Sequence, residues 1–139
     1  MANKIIVDSG PLVALLSPRD RAHEWCLSQI ETFEEPLVTC DAVLSEAFFL
    51  LKRHADRGSE ELMEMIRRGL VRSMFSFSEK EDRILSIMKK YAKLPTSFAD
   101  SCLVAMAEQF KNAKVWTLDS DFRIYRKIDR RLIPLIIPY

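Results

Sequence analysis

Lys4-Ile5-Ile6-Val7-Asp8-Ser9-Gly10-Pro11 is the stretch on which the fold reading turns. Three β-branched residues in a row, with no polar alternation, mark a short strand buried on both faces. Asp8-Ser9-Gly10-Pro11 then stops the strand and supplies what a helix start needs, a capping side chain and an early proline. A buried strand feeding directly into a helix is the opening of a β–α–β unit. The same alternation recurs downstream. Leu37-Val38-Thr39, Val71–Phe77, Val115-Trp116-Thr117 and Leu135-Ile136-Ile137 read as further strands, the last at a sheet edge because Pro134 and Pro138 flank it. Helices are expected at Leu12–Leu16, Arg21–Thr32, Ala42–His54, from Ser59 to about Gly69, after Ser78, and at Phe98–Phe110.

Local signals set the ends of these helices. Asp41 is placed to cap the helix from Ala42, and Gly69 sits where a left-handed C-terminal residue belongs. Ser78-Glu79-Lys80-Glu81 has the spacing of a capping box. The helix after it carries Ile84, Leu85, Met88 and Tyr91 on one stripe. Strands separated by helices imply crossovers and a parallel sheet between helical layers. The expected architecture is therefore an α/β three-layer sandwich, with a mostly parallel sheet of four or five strands. No repeat, low-complexity tract or Gly/Ser linker divides the chain, so residues 1–139 read as a single domain.

Composition removes several function classes. The 139 residues include only 3 Gly and 2 His, with 21 Lys+Arg against 20 Asp+Glu. No glycine-cradled phosphate motif is present, and neither H-E-x-x-H nor a three-His metal site can be assembled. His23-Glu-Trp-Cys26 is a loose metal-like pairing that no second pair completes. Cys26, Cys40 and Cys102 are odd in number and widely spaced, as expected of reduced, buried thiols in a cytoplasmic protein. The apolar run at the N-terminus stops at Asp8, too soon for a signal peptide, and no run is long enough to span a membrane. An enzyme with this composition relies on carboxylates.

Four acids stand in informative places. In parallel sheets ligands bind beyond the carboxyl ends of the strands; Asp8 directly follows the first strand and Asp119 follows the fourth, two residues after Thr117. Glu46 shares a helix face with Ala42, Val43, Phe49 and Leu50, and Asp100 lines up with Leu103, Val104 and Ala107, so both are expected to point toward the protein. Carboxylates that converge without a basic neighbour suit hard cations such as Mg²⁺ or Mn²⁺. Each also has a plain structural role open to it. Asp8 can cap the first helix, Asp100 can complement a helix dipole, Asp119 and Asp121 can serve as turn or cap residues, and Glu46 can enter a salt bridge.

The ordered set resembles a known family. I-I-V-D-S-G-P-L-V-A-L-L around Asp8, A-V-L-S-E-A-F-F-L-L around Glu46, F-A-D-S-C-L-V-A-M-A around Asp100 and T-L-D-S-D-F at Thr117–Phe122 are similar to the PIN-domain ribonucleases, and most of all to VapC-type toxins of prokaryotic toxin–antitoxin pairs. The resemblance implies a Mg²⁺- or Mn²⁺-dependent endoribonuclease with Asp8, Glu46, Asp100 and Asp119 as its acids. Asp8, Asp100 and Asp119 would be metal ligands, with Asp121 as a second candidate for the fourth acid, and Thr117 a hydrogen-bonding support. It also implies an RNA substrate, a cognate antitoxin and a homodimer. Arg123, Arg126, Lys127, Arg130 and Arg131, with Tyr125 among them, form a short basic helix that could track phosphates and stack a base, or simply face solvent. Arg67, Arg68 and Arg72 make a second cluster. Trp25, Phe48, Phe49, Met63, Met65 and Ile66 are core or interface residues. With four acids set aside, sixteen remain against 21 basic side chains, which describes an acidic pocket in a moderately basic surface. Two other readings use the same acids, a non-catalytic PIN-like RNA- or protein-binding module and a phosphoacceptor receiver-like domain. The second lacks the paired N-terminal acids and the late lysine it requires.

Overall fold

A computed structural model describes residues 4–55 and 57–139. Five strands form one sheet in the order β3-β2-β1-β4-β5, with β1 at Ile5–Val7, β2 at Leu37–Thr39, β3 at Val71–Ser73, β4 at Lys114–Trp116 and β5 at Leu135–Ile136. Every adjacent pair is parallel. Among the described residues the α-helices are α1 (Ser9–Leu16), α2 (His23–Ile30), α3 (Asp41–His54), α4 (Gly58–Arg67), α5 (Glu81–Lys90) and α6 (Phe98–Gln109). Helices α1 to α4 pack among themselves, α5 packs on α6, and α6 lies against β1 and β4. None of the described helices is long and apolar enough to cross a membrane.

The sheet order fixes where a site belongs. From β1 the chain steps to β2 and β3 on one side, then returns to place β4 and β5 on the other. The direction in which strands are added therefore reverses between β1 and β4, the switch point where parallel sheets open a crevice. This order differs from the 2-1-3-4-5 of receiver-type sheets. The register runs from Ile5 opposite Lys114 to Val7 opposite Trp116, and the Asp8 N–H donates to the Trp116 carbonyl at 3.0 Å. Asp8 and Thr117 consequently leave the sheet side by side.

The core explains why such short strands hold. Ile6, Val7, Val115 and Trp116 are fully buried, as are Leu12, Leu51, Leu103 and Met106 on the helices above and below. A β-branched strand three residues long is stable here because both faces are covered. Phe33 packs edge-on to Trp116 with ring centroids 5.0 Å apart. The three cysteines are free and buried.

Several expected boundaries move, each for a physical reason. The third strand covers Val71–Ser73 rather than extending to Phe77, because its partner β2 ends at Thr39, whose carbonyl takes the Met74 N–H as the last bond. Ser78 does not cap α5. It lies in a 3-10 turn, Phe77–Glu79, and its hydroxyl meets that of Ser76, so the helix begins only at Glu81. The buried stripe of α5 is Ile84, Ile87 and Tyr91 with Met88 partly covered, whereas Leu85 is 54% exposed, one residue off the stripe. Cys40, not Asp41, is the N-cap residue of α3; Asp41 is its first helical residue and accepts from the Ser73 hydroxyl. Gly69 does adopt the left-handed conformation, with φ of 74°. Helix α2 is two residues shorter at each end than Arg21–Thr32, and Cys26 is its one fully buried side chain.

Candidate active site at the strand ends

Beyond the carboxyl ends of β1 and β4 lies an open cleft of about 600 Å³, lined among others by Asp8, Glu46, Asp100, Asp119 and Ser120. Four side-chain carboxylates line it, and among the described residues no Lys, Arg or His does. Each acid arrives by a different local device. Asp8 is the N-cap of α1, its Oδ1 accepting from the Ser9 N–H at 2.7 Å. The other oxygen, Oδ2, accepts from the Thr117 hydroxyl at 2.7 Å. That hydroxyl in turn accepts from the Asp119 N–H at 3.0 Å, so Thr117 ties the ends of β1 and β4 together. Asp119 caps the 3-10 turn Ser120–Arg123, accepting from the Asp121 N–H at 2.8 Å.

Asp100 is held by a reciprocal capping box. The Ser97 hydroxyl accepts from the Asp100 N–H, and the Asp100 carboxylate accepts from the Ser97 N–H. Asp100 Oδ2 also accepts from the Tyr125 hydroxyl at 3.1 Å. The cap and site readings of Asp8, Asp100 and Asp119 are therefore not alternatives. One carboxylate oxygen, or one lone pair, caps a helix or turn while the group faces the cleft.

Electrostatics mark the site as strained. Burial is the largest influence on Asp8 and pushes its pKa up to about 7, the Thr117 hydrogen bond opposes this, and the charges of Asp100 and Glu46 raise it further. Burial likewise raises the pKa of Asp100, against the hydrogen bonds from Ser97 and Tyr125 and with the added repulsion of Asp119. Burial raises the Tyr125 hydroxyl too. Like charges crowded in low-dielectric surroundings disfavour their own ionisation, the pattern that recurs at functional sites.

The donors suit a hard divalent cation in kind, being all carboxylate oxygen with no competing cation. In placement they are looser. Among the described residues no group of three or more His, Cys, Asp or Glu side chains is arranged to hold a metal ion as it stands. Asp8 and Asp100 are already oriented by their own hydrogen bonds, while Glu46 sits at the mouth.

Other expected site residues fall differently. Glu46 lines the cleft but is exposed, because its flank of α3 faces the opening rather than the core. Asp121 does not line the cleft; it is half-buried behind Asp119, its backbone closing the turn. No basic helix follows. The chain makes one 3-10 turn and then an irregular segment, with an isolated bridge between Arg126 and Leu132 and Arg130 at a φ of 71°. Arg126 is folded back on its own segment, donating to the carbonyls of Arg123, Ile124 and Tyr125. Arg123 donates to the Tyr139 carbonyl. Lys127 is half-buried, Arg130 and Arg131 are exposed, and none of these residues lines the cleft. Tyr125 is fully buried, which removes it as a platform for a base and makes it a support for Asp100. Arg67, Arg68 and Arg72 are exposed and lie outside the cleft lining. Of the apolar surplus, Trp25, Phe48, Met65 and Ile66 pack on the core, while Phe49 and Met63 are more than half exposed. Two supports, Ser97 and Tyr125, are absent from the sequence-based site. Ser97-Phe-Ala-Asp100 has capping-box spacing and was legible; nothing local marks Tyr125, which reaches Asp100 only through the fold.

A family model for the PIN domain matches residues 5–128. The chain belongs to the PIN-domain family. Solved PIN-fold structures resemble it along most of their length. VapC20 of Mycobacterium tuberculosis, a toxin that cleaves the sarcin–ricin loop, superposes with a TM-score of 0.73 at 22% identity, covering 85% of this chain and 92% of that one. VapBC2 of Rickettsia felis, solved bound to a DNA fragment from its promoter, gives 0.63 at 11% identity, covering 97% and 98%. At such identities the likeness is one of fold. No curated protein sequence gives a significant match. The acid cleft of this PIN-domain chain stands on its own residues.

Proposed function

We propose that this PIN-domain protein is a Mg²⁺- or Mn²⁺-dependent endoribonuclease of the VapC type, residues 1–139 forming one nuclease domain. The observation that carries the reading is the cleft at the β1–β4 switch point, lined by four carboxylates and, among the described residues, by no basic side chain. An RNA phosphate cannot enter such a site favourably without a cation to offset the repulsion. Asp8, Asp100 and Asp119 would hold the ion. When bound, Mg²⁺ or Mn²⁺ supplies Lewis-acid activation of water and neutralises the charge that builds on the phosphorus oxygens.

The chain's own residues then do the rest. Thr117 keeps one Asp8 oxygen oriented and fixes the Asp119 backbone beside it. Ser97 and Tyr125 hold Asp100 from the other side. Glu46, at the mouth and not tied by a hydrogen bond among the described residues, is free to orient the attacking water. The resemblance to VapC20 and VapBC2 supports a toxin role, with RNA as substrate, an antitoxin as partner, a homodimer as the assembled form and the cytoplasm as the compartment.

One feature favours a second reading, a binding-only PIN module: among the described residues the acids are not arranged to hold an ion as they stand. Cleavage of single-stranded RNA separates the two. Wild type should cut with Mn²⁺ or Mg²⁺, stop with chelator, and lose activity in Asp100→Asn with its circular dichroism retained. Full activity in that variant refutes the nuclease reading; metal-independent RNA binding without cleavage in wild type favours the binding module.

A further inference from the structure

Helix α3 leads away from the cleft, and its outer flank carries one anomaly. Besides Phe49, its exposed positions are Asp41, Ser45, Glu46, Lys52, Arg53 and His54, all polar or charged. Phe49 is 58% exposed, although the neighbouring Phe48 is packed on the core. At about 100° per residue, Phe49 lies roughly 60° around the helix from Glu46, and Arg53 roughly 20°. The three form one strip that starts at the acid lining the cleft. Along the axis Phe49 is about 4.5 Å and Arg53 about 10.5 Å beyond Glu46. The Arg53 guanidinium carbon lies 5.4 Å from the Phe49 ring centroid, a cation–π contact within the strip.

An exposed aromatic followed by a cation is the chemistry by which proteins hold single-stranded nucleic acid: the ring takes a base face, and the cation takes the backbone. A lone exposed apolar residue is ordinary on a protein surface. Here its place matters, one helical turn from a cleft acid and on a flank whose other exposed side chains are all polar or charged. We infer that Phe49 is the stacking platform for a base of the strand adjoining the scissile phosphate, with Arg53 meeting the next phosphate outward. This rests on the ribonuclease reading and names where its substrate continues beyond the acids. It also supplies what the cleft lining and the 123–131 segment do not, a cationic and aromatic approach to the acids.

The test compares two probes on the Asp100→Asn protein, which leaves the strand uncut: a short fluorescein-labelled oligouridylate, and an abasic ribose–phosphate strand of equal length. Fluorescence anisotropy should show the base-bearing strand bound roughly tenfold to a hundredfold more tightly. Phe49→Ala should erase that difference by weakening oligouridylate binding alone. Phe49→Trp should restore it and Phe49→Leu should not, and Arg53→Ala should weaken both strands. Sedimentation should give the same mass for Phe49→Ala and its parent. An unchanged preference for bases in Phe49→Ala, or full recovery by Phe49→Leu, overturns the inference. A fall in assembly mass in Phe49→Ala also overturns it and assigns the residue to contact with a second copy. These outcomes are independent of whether wild type cleaves RNA, so failure here is distinct from failure of the nuclease reading.

Discussion

Thr117→Val isolates the link between the two central strands. Thr117 is fully buried, donates to Asp8 Oδ2 at 2.7 Å and accepts from the Asp119 N–H at 3.0 Å. Valine keeps the shape and removes both bonds. With Asp8 ionised, loss of a hydrogen bond to a buried charge costs about 1.5–3 kcal/mol. The Asp119 N–H adds a smaller amount, since Asp119 is only half-buried and water can serve it. A total of about 2–4 kcal/mol is expected. Thr117→Ser retains the hydroxyl and loses one methyl, for about 0.8 kcal/mol.

The pH dependence of this cost is the signature. The Thr117 hydroxyl lowers the Asp8 pKa, which burial has raised to about 7. Without the hydroxyl, Asp8 titrates higher still, so the valine penalty grows as pH rises through about 7 and shrinks below it. Urea unfolding of metal-free protein at about pH 5 and about pH 8.5 reads this directly, as a larger midpoint shift at the higher pH. Equal valine penalties at both pH values would refute the reasoning, as would a serine variant as unstable as the valine one. In the cleavage assay Thr117→Val should lose most of its kcat, because the carboxylate it orients is left to other rotamers.

Two further outcomes rest on carboxylates, one buried and one half-buried. The folded-state pKa of Asp8 lies above the 3.8 of the unfolded chain, so its contribution to stability is complete below about pH 4 and is lost as pH rises through about 7. The full loss amounts to about 4 kcal/mol. Thermal melts of metal-free protein should therefore fall across that window and recover on adding Mn²⁺ at the alkaline end; a flat profile would argue that Asp8 titrates normally. Away from the cleft, Arg83 holds Glu108 in a two-point contact at 2.9 and 2.7 Å, and Glu108 also accepts the Ile128 N–H. Glu108→Ala should cost about 2–4 kcal/mol by chemical denaturation, with part of it regained in the Arg83→Met, Glu108→Ala double variant. No loss in the single variant would remove this pair from the account of how α5, α6 and the 120s segment are joined.

Much of the architecture was legible because its signals are local. A β-branched run at Ile5–Val7 can only be a strand covered on both sides, and the turn after it can only lead into a helix. Gly69 announced its left-handed conformation. Where the reading failed, the deciding partner was elsewhere in the chain. Val71–Phe77 has strand character throughout, but β2 stops at Thr39 and leaves Phe75 and Phe77 with nothing to pair. Ser78 and Glu81 have capping spacing, yet an extra 3-10 turn pre-empts them.

The candidate site divides along the same line. The identity of the acids and their positions after strands or in first helical turns are sequence properties, since each depends only on the few residues beside it in the chain. That Asp119 rather than Asp121 lines the cleft, and that Glu46 is exposed at its mouth, are decided by tertiary structure. They depend on which backbone groups the fold leaves to be satisfied. The same holds for Tyr125, read along the chain as an exposed ring among arginines and found buried with its hydroxyl on Asp100, 25 residues away. The sequence by itself determined a parallel α/β sheet with carboxylates at its strand ends. Only the tertiary structure decided how those carboxylates share one cleft, because register and burial, not spacing, set which oxygen meets which donor.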